Sequence, residues 1–151
     1  MKNSVLGTNV VTQIAIIVED IEKTSQAYAD FLGVEKPNVI ITDTVDKAQT
    51  EYRGESSQAR AKLAFFDVGG NLQLELIEPD EHPSTWREFL DEHGEGVHHI
   101  AFVVEDMKGT VKKLEANGMP LIQKGEYDGG RYSYVETTDE LKVLLELLEN
   151  D

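Results

Sequence analysis

The amino-acid sequence predicts an α+β fold in which two tandem βαβββ modules form a mixed-sheet open barrel with a cleft. An apolar ten-residue segment occurs twice, each copy precedes a helical spacing of apolar residues, and each half ends in further strand patterns. We expect a single domain over residues 1–151. Its first module covers about residues 9–80, a linker with a short helix covers 81–95, and the second module covers about 96–150.

The repeat is clearest in the segments Val11–Asp20 and Val97–Asp106, which align at a constant offset. Both segments are rich in β-branched and apolar residues, as is typical of a mostly buried strand. Both end in an aspartate that can cap a following helix. Identical residues recur at the positions of Val11, Ile14, Ala15, Val18, Glu19 and Asp20.

Each repeated strand is followed by a predicted helix. Apolar residues after Asp20 lie on one helical face, and Gly33 stands where a helix commonly ends. A second set after Asp106 is stopped by Gly118 and Pro120. The two apolar sets are Ile21, Ala27, Tyr28, Phe31 and Leu32 in the first helix, and Met107, Val111 and Leu114 in the second.

The remaining strand patterns also come in pairs, one member in each half. Gly69-Gly70 predicts a hairpin turn in the first half, and Thr138-Asp139 predicts one in the second. The predicted strands are Val39–Thr42, Lys62–Val68 and Leu72–Glu78 in the first half, and Leu121–Gln123, Tyr132–Glu136 and Val143–Glu149 in the second.

Two segments lie outside this repeat. Thr85-Trp86-Arg87-Glu88 has the spacing of a capping box, in which Thr85 caps a short helix that runs to Gly94. Residues 44–60 are polar and predict either a mobile excursion over the cleft or an irregular loop.

Composition narrows the function classes. The formal net charge is −15, with 29 acidic and 14 basic residues, so binding to nucleic acid or to an anionic membrane surface is not expected. The chain has no cysteine, which excludes disulfides and thiolate metal sites and favours a cytoplasmic location. Whether an anionic substrate can bind depends on where the few Arg and Lys residues lie.

Four polar residues interrupt the predicted apolar strands, and they form two repeat-related pairs. Gln13 and His99 are repeat partners on the first strand of each module, and Glu75 and Glu146 are partners on the last strand. A buried strand keeps such groups only when they are paired or bind a metal ion. We therefore predict that Gln13, Glu75, His99 and Glu146 hold one divalent ion such as Zn²⁺, Co²⁺, Ni²⁺ or Mn²⁺.

His98 precedes the predicted ligand His99. Because adjacent strand residues point to opposite faces, only one of the two can face the cleft. The alignment with Gln13 selects His99 and leaves His98 as a surface group or as a group behind the ligands.

The segments Gly96–Phe102, Leu74–Pro79 and Val143–Leu147 resemble the vicinal-oxygen-chelate superfamily, which includes glyoxalase I, methylmalonyl-CoA epimerase, dioxygenases and antibiotic-resistance proteins. The resemblance covers nearly the whole chain and implies the duplicated fold, a metal at the four positions above, a homodimer and a small-molecule substrate such as a thioester or a thiol adduct. Within the superfamily, the sequence resembles methylmalonyl-CoA epimerase most. It departs from that group at two places. Gln13 replaces a usual histidine, and no carboxylate stands near residues 62–64, where some epimerases have a second base.

The resemblance implies a metal-assisted proton transfer next to a carbonyl group, with Glu146 as the base and Glu75 as a ligand or acid–base partner. A glyoxalase I-like lyase is the alternative, because its zinc-using branch resembles the order Gln, Glu, His, Glu. That group has an arginine four residues after the first ligand, where this chain has Ile17. A third interpretation is a resistance protein that binds a small molecule without catalysis.

Overall fold

In residues 4–151, which the computed structural model describes, ten strands form one mixed sheet accompanied by five helices. The predicted α+β class is confirmed. The strands are β1 (Gln13–Ile17), β2 (Ile40–Ile41), β3 (Glu51–Tyr52), β4 (Glu55–Ser56), β5 (Ala61–Val68), β6 (Leu72–Pro79), β7 (Gly96–Val103), β8 (Leu121–Tyr127), β9 (Gly130–Val135) and β10 (Leu144–Asn150). The helices are α1 (Ile21–Leu32), α2 (Val45–Ala48), α3 (Thr85–His93), α4 (Met107–Ala116) and α5 (Thr138–Leu141).

The strand order is β2-β5-β6-β1-β7-β10-β9-β8-β3-β4. β1 pairs in parallel with β6, and β7 pairs in parallel with β10, so that in each half the first strand lies beside the last. The halves join through antiparallel pairing of β1 with β7, so the sheet curls continuously around the cleft rather than splitting into two sheets. The matching topology agrees with the predicted duplication, while the module boundaries stay a prediction.

The outer face of the sheet is covered by the two repeat-related helices. Ile21 of α1 packs in one buried cluster with Leu76 of β6. Leu114 of α4 packs in another with Leu145 and Leu147 of β10. Both strands therefore present alternate residues to the helices and the residues between them to the cleft. No helix among residues 4–151 has the length and apolar character needed to cross a membrane.

The predicted caps of these two helices are present. The side chain of Asp20 accepts a hydrogen bond from the Lys23 amide, and that of Asp106 accepts one from the Gly109 amide. Gly33 ends α1 with a φ of 70°, a left-handed conformation that suits glycine because it has no Cβ.

The predicted capping box of α3 is wrong by one residue. Ser84, not Thr85, is the N-cap, and its hydroxyl accepts from the Arg87 amide at 3.0 Å. Glu88 does not reach back to the cap. Its carboxylate binds the Arg53 guanidinium at 2.9 Å and the Tyr52 hydroxyl, because an ion pair offers it a stronger partner than a backbone amide.

Of the two predictions for residues 44–60, that of an irregular loop is wrong. This segment contains α2 and the short hairpin of β3 and β4, and β3 pairs with β8 so that it extends the sheet. The strands were missed because each spans two residues, which is too short for an alternating apolar pattern to appear.

The connection between β9 and β10 departs from the predicted hairpin turn at Thr138-Asp139. The single-turn helix α5 occupies this position, and the two strands remain antiparallel neighbours. The helix ends at Lys142 with a φ of 71°. No glycine marks this left-handed position, so the sequence carries no signal for it.

We predict that Asp106→Ala lowers the free energy of unfolding by about 1 kcal/mol, because α4 loses the hydrogen-bond acceptor at its first turn. Urea denaturation measures the change. The exposed neighbour Glu105, which is not the cap, provides the control Glu105→Ala. Equal stability of the two variants would contradict the assigned cap.

Candidate functional site

The pairing of four neighbouring strands brings the predicted ligands together on the cleft face. Across the sheet, Ala15 of β1 lies between Glu75 of β6 and His99 of β7. In the adjacent row Gln13 of β1 pairs with Ala101, which in turn pairs with Glu146 of β10. The four polar residues thus alternate with two alanines in a checkerboard pattern. We call Gln13, Glu75, His99 and Glu146 the four-donor cluster.

The two alanines are the reason that the long side chains can meet. Ala15 and Ala101 are both fully buried, and each lies directly between members of the cluster on neighbouring strands. A methyl group leaves the space above the strand free for the side chains on either side. Since Ala15 and Ala101 are repeat partners, the duplication supplies this space symmetrically.

His99 is the centre of the cluster. Its Nε2 atom lies 2.9 Å from Gln13 Oε1, 3.3 Å from Glu146 Oε1 and 3.6 Å from Glu75 Oε1. All four side chains are buried. The predicted convergence of these residues is therefore present in the fold, whereas their role as metal ligands stays a prediction.

The electrostatics of the cluster are unfavourable without a positive charge. Burial, and secondarily the charge of Glu146, raise the pKa of Glu75 well above that of an ordinary glutamate. Two carboxylates face one imidazole nitrogen, and the described residues that line the surrounding space include no Lys or Arg.

The orientation of the Gln13 amide also suits a cation. Its Nε2 donates to Gln73 Oε1 at 2.7 Å, which turns Oε1 toward the other three members of the cluster. The opposite orientation would place the NH₂ group 2.9 Å from Glu146 and 3.3 Å from Glu75, where it could donate to both. The first orientation gathers four lone pairs, as in a metal site, and the second satisfies the cluster by hydrogen bonds alone.

The donor set fits a divalent ion in its chemistry. Two carboxylates, an imidazole and an amide oxygen suit a borderline metal, and donors bound at 2.0–2.2 Å lie about 2.8–3.6 Å from one another. The contacts of His99 span this range. Within residues 4–151, however, no three His, Asp or Glu side chains alone are arranged to hold an ion. The fit to a divalent ion therefore depends on Gln13 as the fourth donor and on the chemical types of the four donor groups.

A β-bulge explains the position of His98. Ala15 pairs with His99 but Ile16 pairs with Val97, so His98 is an extra residue without a partner on β1. His98 is buried, and its Nδ1 lies 2.8 Å from the Nδ1 of His99. Of the two positions predicted for His98, the structure shows the one behind the ligand and not the one on the surface.

The contact between the two rings selects a tautomer. Burial, and secondarily His99, lower the pKa of His98 well below its ordinary value, so this ring is neutral and its Nδ1 can accept a proton. If His99 keeps a lone pair on Nε2 for the cluster, its proton is on Nδ1 and is donated to His98. His98 then carries its own proton on Nε2, a buried atom without a partner in the described structure.

A cavity of about 500 Å³ opens above the cluster, and three of the four donors line it, with His99 beneath them. We call this space the cleft cavity. Ala48 and Thr50 place residues 44–60 at its wall, as the sequence predicted for that segment.

The cavity also has an aromatic wall that sequence reasoning missed. Trp86 Nε1 donates to the Tyr134 hydroxyl oxygen at 3.0 Å, and Gln123 Nε2 donates to that of Tyr132 at 3.1 Å. Burial raises the pKa of both tyrosines, so each phenol keeps a proton that it can donate. The alternating aromatic residues of β9 opposite Glu146 could have indicated this wall.

Residues 12–135 match the profile of the Glyoxalase/Bleomycin resistance protein/Dioxygenase superfamily. The uncharacterized protein YqjC of Bacillus subtilis is 30% identical over 95 residues, which cover 61% of this chain and 67% of that protein. The 2-epi-5-epi-valiolone epimerase of an Actinomyces species is 26% identical over 141 residues, which cover 87% of this chain and 75% of the epimerase.

Among solved structures, methylmalonyl-CoA epimerase from Mycobacterium tuberculosis superposes with a TM-score of 0.66 at 23% sequence identity. The match covers 100% of this chain and 93% of the epimerase. At this identity the comparison supports the fold rather than the substrate.

We predict that Glu75→Gln makes the metal-free protein more stable at pH 8, by on the order of 1 kcal/mol or more, since a tenfold change in acidity is worth about 1.4 kcal/mol. Because the pKa of Glu75 is raised in the folded state, the unfolded state loses this proton first, and wild-type stability falls as the pH rises above about 4.5. The glutamine removes this loss.

Urea denaturation in EDTA at pH 5 and pH 8 measures the effect. Glu115→Gln, at an exposed position of α4, is the control for the loss of one charge. The assignment would be wrong if the two variants changed in parallel between the two pH values.

Proposed function

Since the chain belongs to the Glyoxalase/Bleomycin resistance protein/Dioxygenase superfamily, we propose that it is a metal-dependent enzyme that transfers a proton at a carbon next to a substrate carbonyl, as an epimerase does. One observation carries this proposal. Four donor side chains meet at the floor of a cavity that is large enough for a small organic substrate. The named epimerases among the relatives and structural neighbours support the same reaction class.

Gln13 through its oxygen, His99 through Nε2 and the two glutamates would hold the ion. When bound, a divalent ion supplies positive charge that stabilises negative charge on the carbonyl oxygen of the substrate. His98 holds the His99 ring in position, because the contact between their Nδ1 atoms leaves the His99 Nε2 atom directed at the cluster.

Glu146 is the proposed base. It lines the cleft cavity, and a carboxylate at this position can remove a proton from a substrate carbon above the cluster. Glu75 occupies the symmetry-related position in the other half and is the candidate for returning the proton. The part of β5 that lines the cavity offers Leu63 and Phe65, so it supplies no third carboxylate for this step.

The tyrosines of the aromatic wall would assist binding. The phenol oxygen of Tyr134 already accepts from Trp86, so its own proton is available to a substrate oxygen. Tyr132 is held in the same way by Gln123. These two residues also exclude water from one side of the cavity, because the Tyr134 ring is buried and the Tyr132 ring is partly buried.

The two other interpretations from the sequence are weaker. A glyoxalase I-like lyase would need a cation in place of Ile17, and the Ile17 side chain is fully buried in an apolar cluster. A binding protein without catalysis has no need for two buried carboxylates that face one imidazole, since such carboxylates cost free energy unless they are paired.

We predict that the protein purified without chelators contains about one equivalent of divalent metal, and that His99→Ala and Glu146→Gln each lower metal affinity at least about tenfold. Calorimetric titration of the metal-free protein with Co²⁺ and elemental analysis measure these quantities. Glu140→Gln replaces an exposed acid of α5 and is the matched control.

The catalytic part is tested by proton exchange in D₂O, followed by NMR at the carbon next to the carbonyl of candidate substrates. Glu146→Gln should slow the exchange at least about a hundredfold, because the base is lost. Wild-type metal content and exchange in both His99→Ala and Glu146→Gln would refute the proposal.

A further inference from the structure

The charges that line the cleft cavity restrict what it can bind. Five carboxylates contribute to its surface, and the described lining residues include no Lys, Arg or His. Glu75 and Glu146 belong to the four-donor cluster and would be balanced by a divalent ion. Asp43, Glu126 and Asp128 are less buried, and we call these three residues the rim carboxylates.

Nearby cations do not neutralise the rim. Glu126 Oε2 lies 3.5 Å from Arg131 Nε, but the same guanidinium also binds Glu149 and Asp151, so one positive charge serves three negative ones. Asp43 and Asp128 take part in no ion pair among the described residues.

Two other basic residues are close to this region but do not line the cavity. Lys124 lies 3.6 Å from Glu51 on the neighbouring strand. Arg60 donates from Nε to the backbone oxygen of Thr42 at 2.8 Å, so its positive charge lies beside the residue that precedes Asp43, but it does not line the cavity and is one charge against three rim carboxylates. The mouth of the cavity therefore keeps a net negative charge, which agrees in sign with the −15 of the whole chain.

The rest of the surface suits an uncharged polar molecule with apolar faces. Trp86, Tyr132 and Tyr134 offer ring faces and hydroxyl groups, and Gln73 and Thr50 offer further hydrogen-bonding groups. Carboxylates accept hydrogen bonds from hydroxyl groups, whereas they repel phosphates and other carboxylates, most strongly where solvent is excluded.

We infer that the substrate is a hydroxylated carbonyl compound without negative charge, whose hydroxyl groups are bound by the rim carboxylates. This inference rests on the proposed function for the reacting carbonyl, and it narrows that function. It disfavours CoA thioesters and glutathione adducts, both of which are anions and would bring their negative groups to the mouth of the cavity.

The test compares neutral with anionic carbonyl compounds, using the metal-loaded protein. Dihydroxyacetone is compared with dihydroxyacetone phosphate, and 2-keto-myo-inositol, a neutral cyclic ketone, is compared with methylmalonyl-CoA. Exchange in D₂O is followed for each compound, and binding is measured by calorimetry whether or not exchange occurs. We expect at least one neutral compound to exchange, and each anion to bind or exchange at least about tenfold more weakly than its neutral counterpart.

The outcomes separate the two proposals. Exchange of an anion at a rate equal to or above that of the neutral compounds would overturn the substrate class while it supports the reaction. Exchange of none of the compounds would contradict the reaction, and the binding data would then decide the charge preference alone. Equal or tighter binding of the anions would overturn the inference in either case.

Charge-neutralised variants provide a second readout. The double variant Asp43→Asn with Asp128→Asn should strengthen binding of dihydroxyacetone phosphate about fivefold or more at low salt, because repulsion is removed, and should weaken binding of dihydroxyacetone about twofold or more, because its hydroxyl groups lose two carboxylate acceptors. Glu105→Gln with Glu115→Gln removes the same number of charges from exposed positions around α4 and should leave both affinities unchanged. An equal effect of the two double variants would mean that net charge, and not the rim, sets the preference.

Discussion

The antiparallel pairing of β1 with β7 is the constraint on which the rest of the structure depends. It joins the two halves at the centre of the sheet and fixes which residues of the four inner strands are neighbours. With this register Ala15 and Ala101 separate the members of the four-donor cluster, and the polar side chains lean over them. A shift by one residue would turn these side chains toward the helices and put apolar residues in the cleft.

Apolar packing on the other face of the sheet offsets the unfavourable free energy of burying the four-donor cluster. Buried carboxylates and imidazoles oppose folding, and the raised pKa of Glu75 reports part of that opposition. Leu145 and Leu147 flank Glu146 in the sequence and pack in the same cluster as α4. The strand is thus held from behind by the residues that alternate with its functional group.

Much of the fold and of the four-donor cluster could be predicted because the duplication places the same sequence patterns in both halves. Asp20 and Asp106 cap equivalent helices, and Gln13 pairs with His99 in the alignment as Glu75 does with Glu146. The sequence failed where a feature occurs once or is short, as with the two-residue strands near Glu51 and the cap at Ser84. The aromatic wall was missed although Tyr132 and Tyr134 alternate on β9, because its third member, Trp86, comes from the linker helix. The placement of Arg131 among three acids could not be predicted, since it depends on the register of β9 with both of its neighbouring strands.

The bulge at His98 has a consequence for stereochemistry. A twofold rotation would otherwise relate the two halves of the cleft floor, but one half presents an imidazole supported by a second imidazole, and the other presents the Gln13 amide supported by the Gln73 amide. A planar reactant lying between them would meet unlike groups to its left and to its right. The extra residue therefore removes the equivalence of the two halves, so a reactant turned by 180° about the axis would meet a different set of partners.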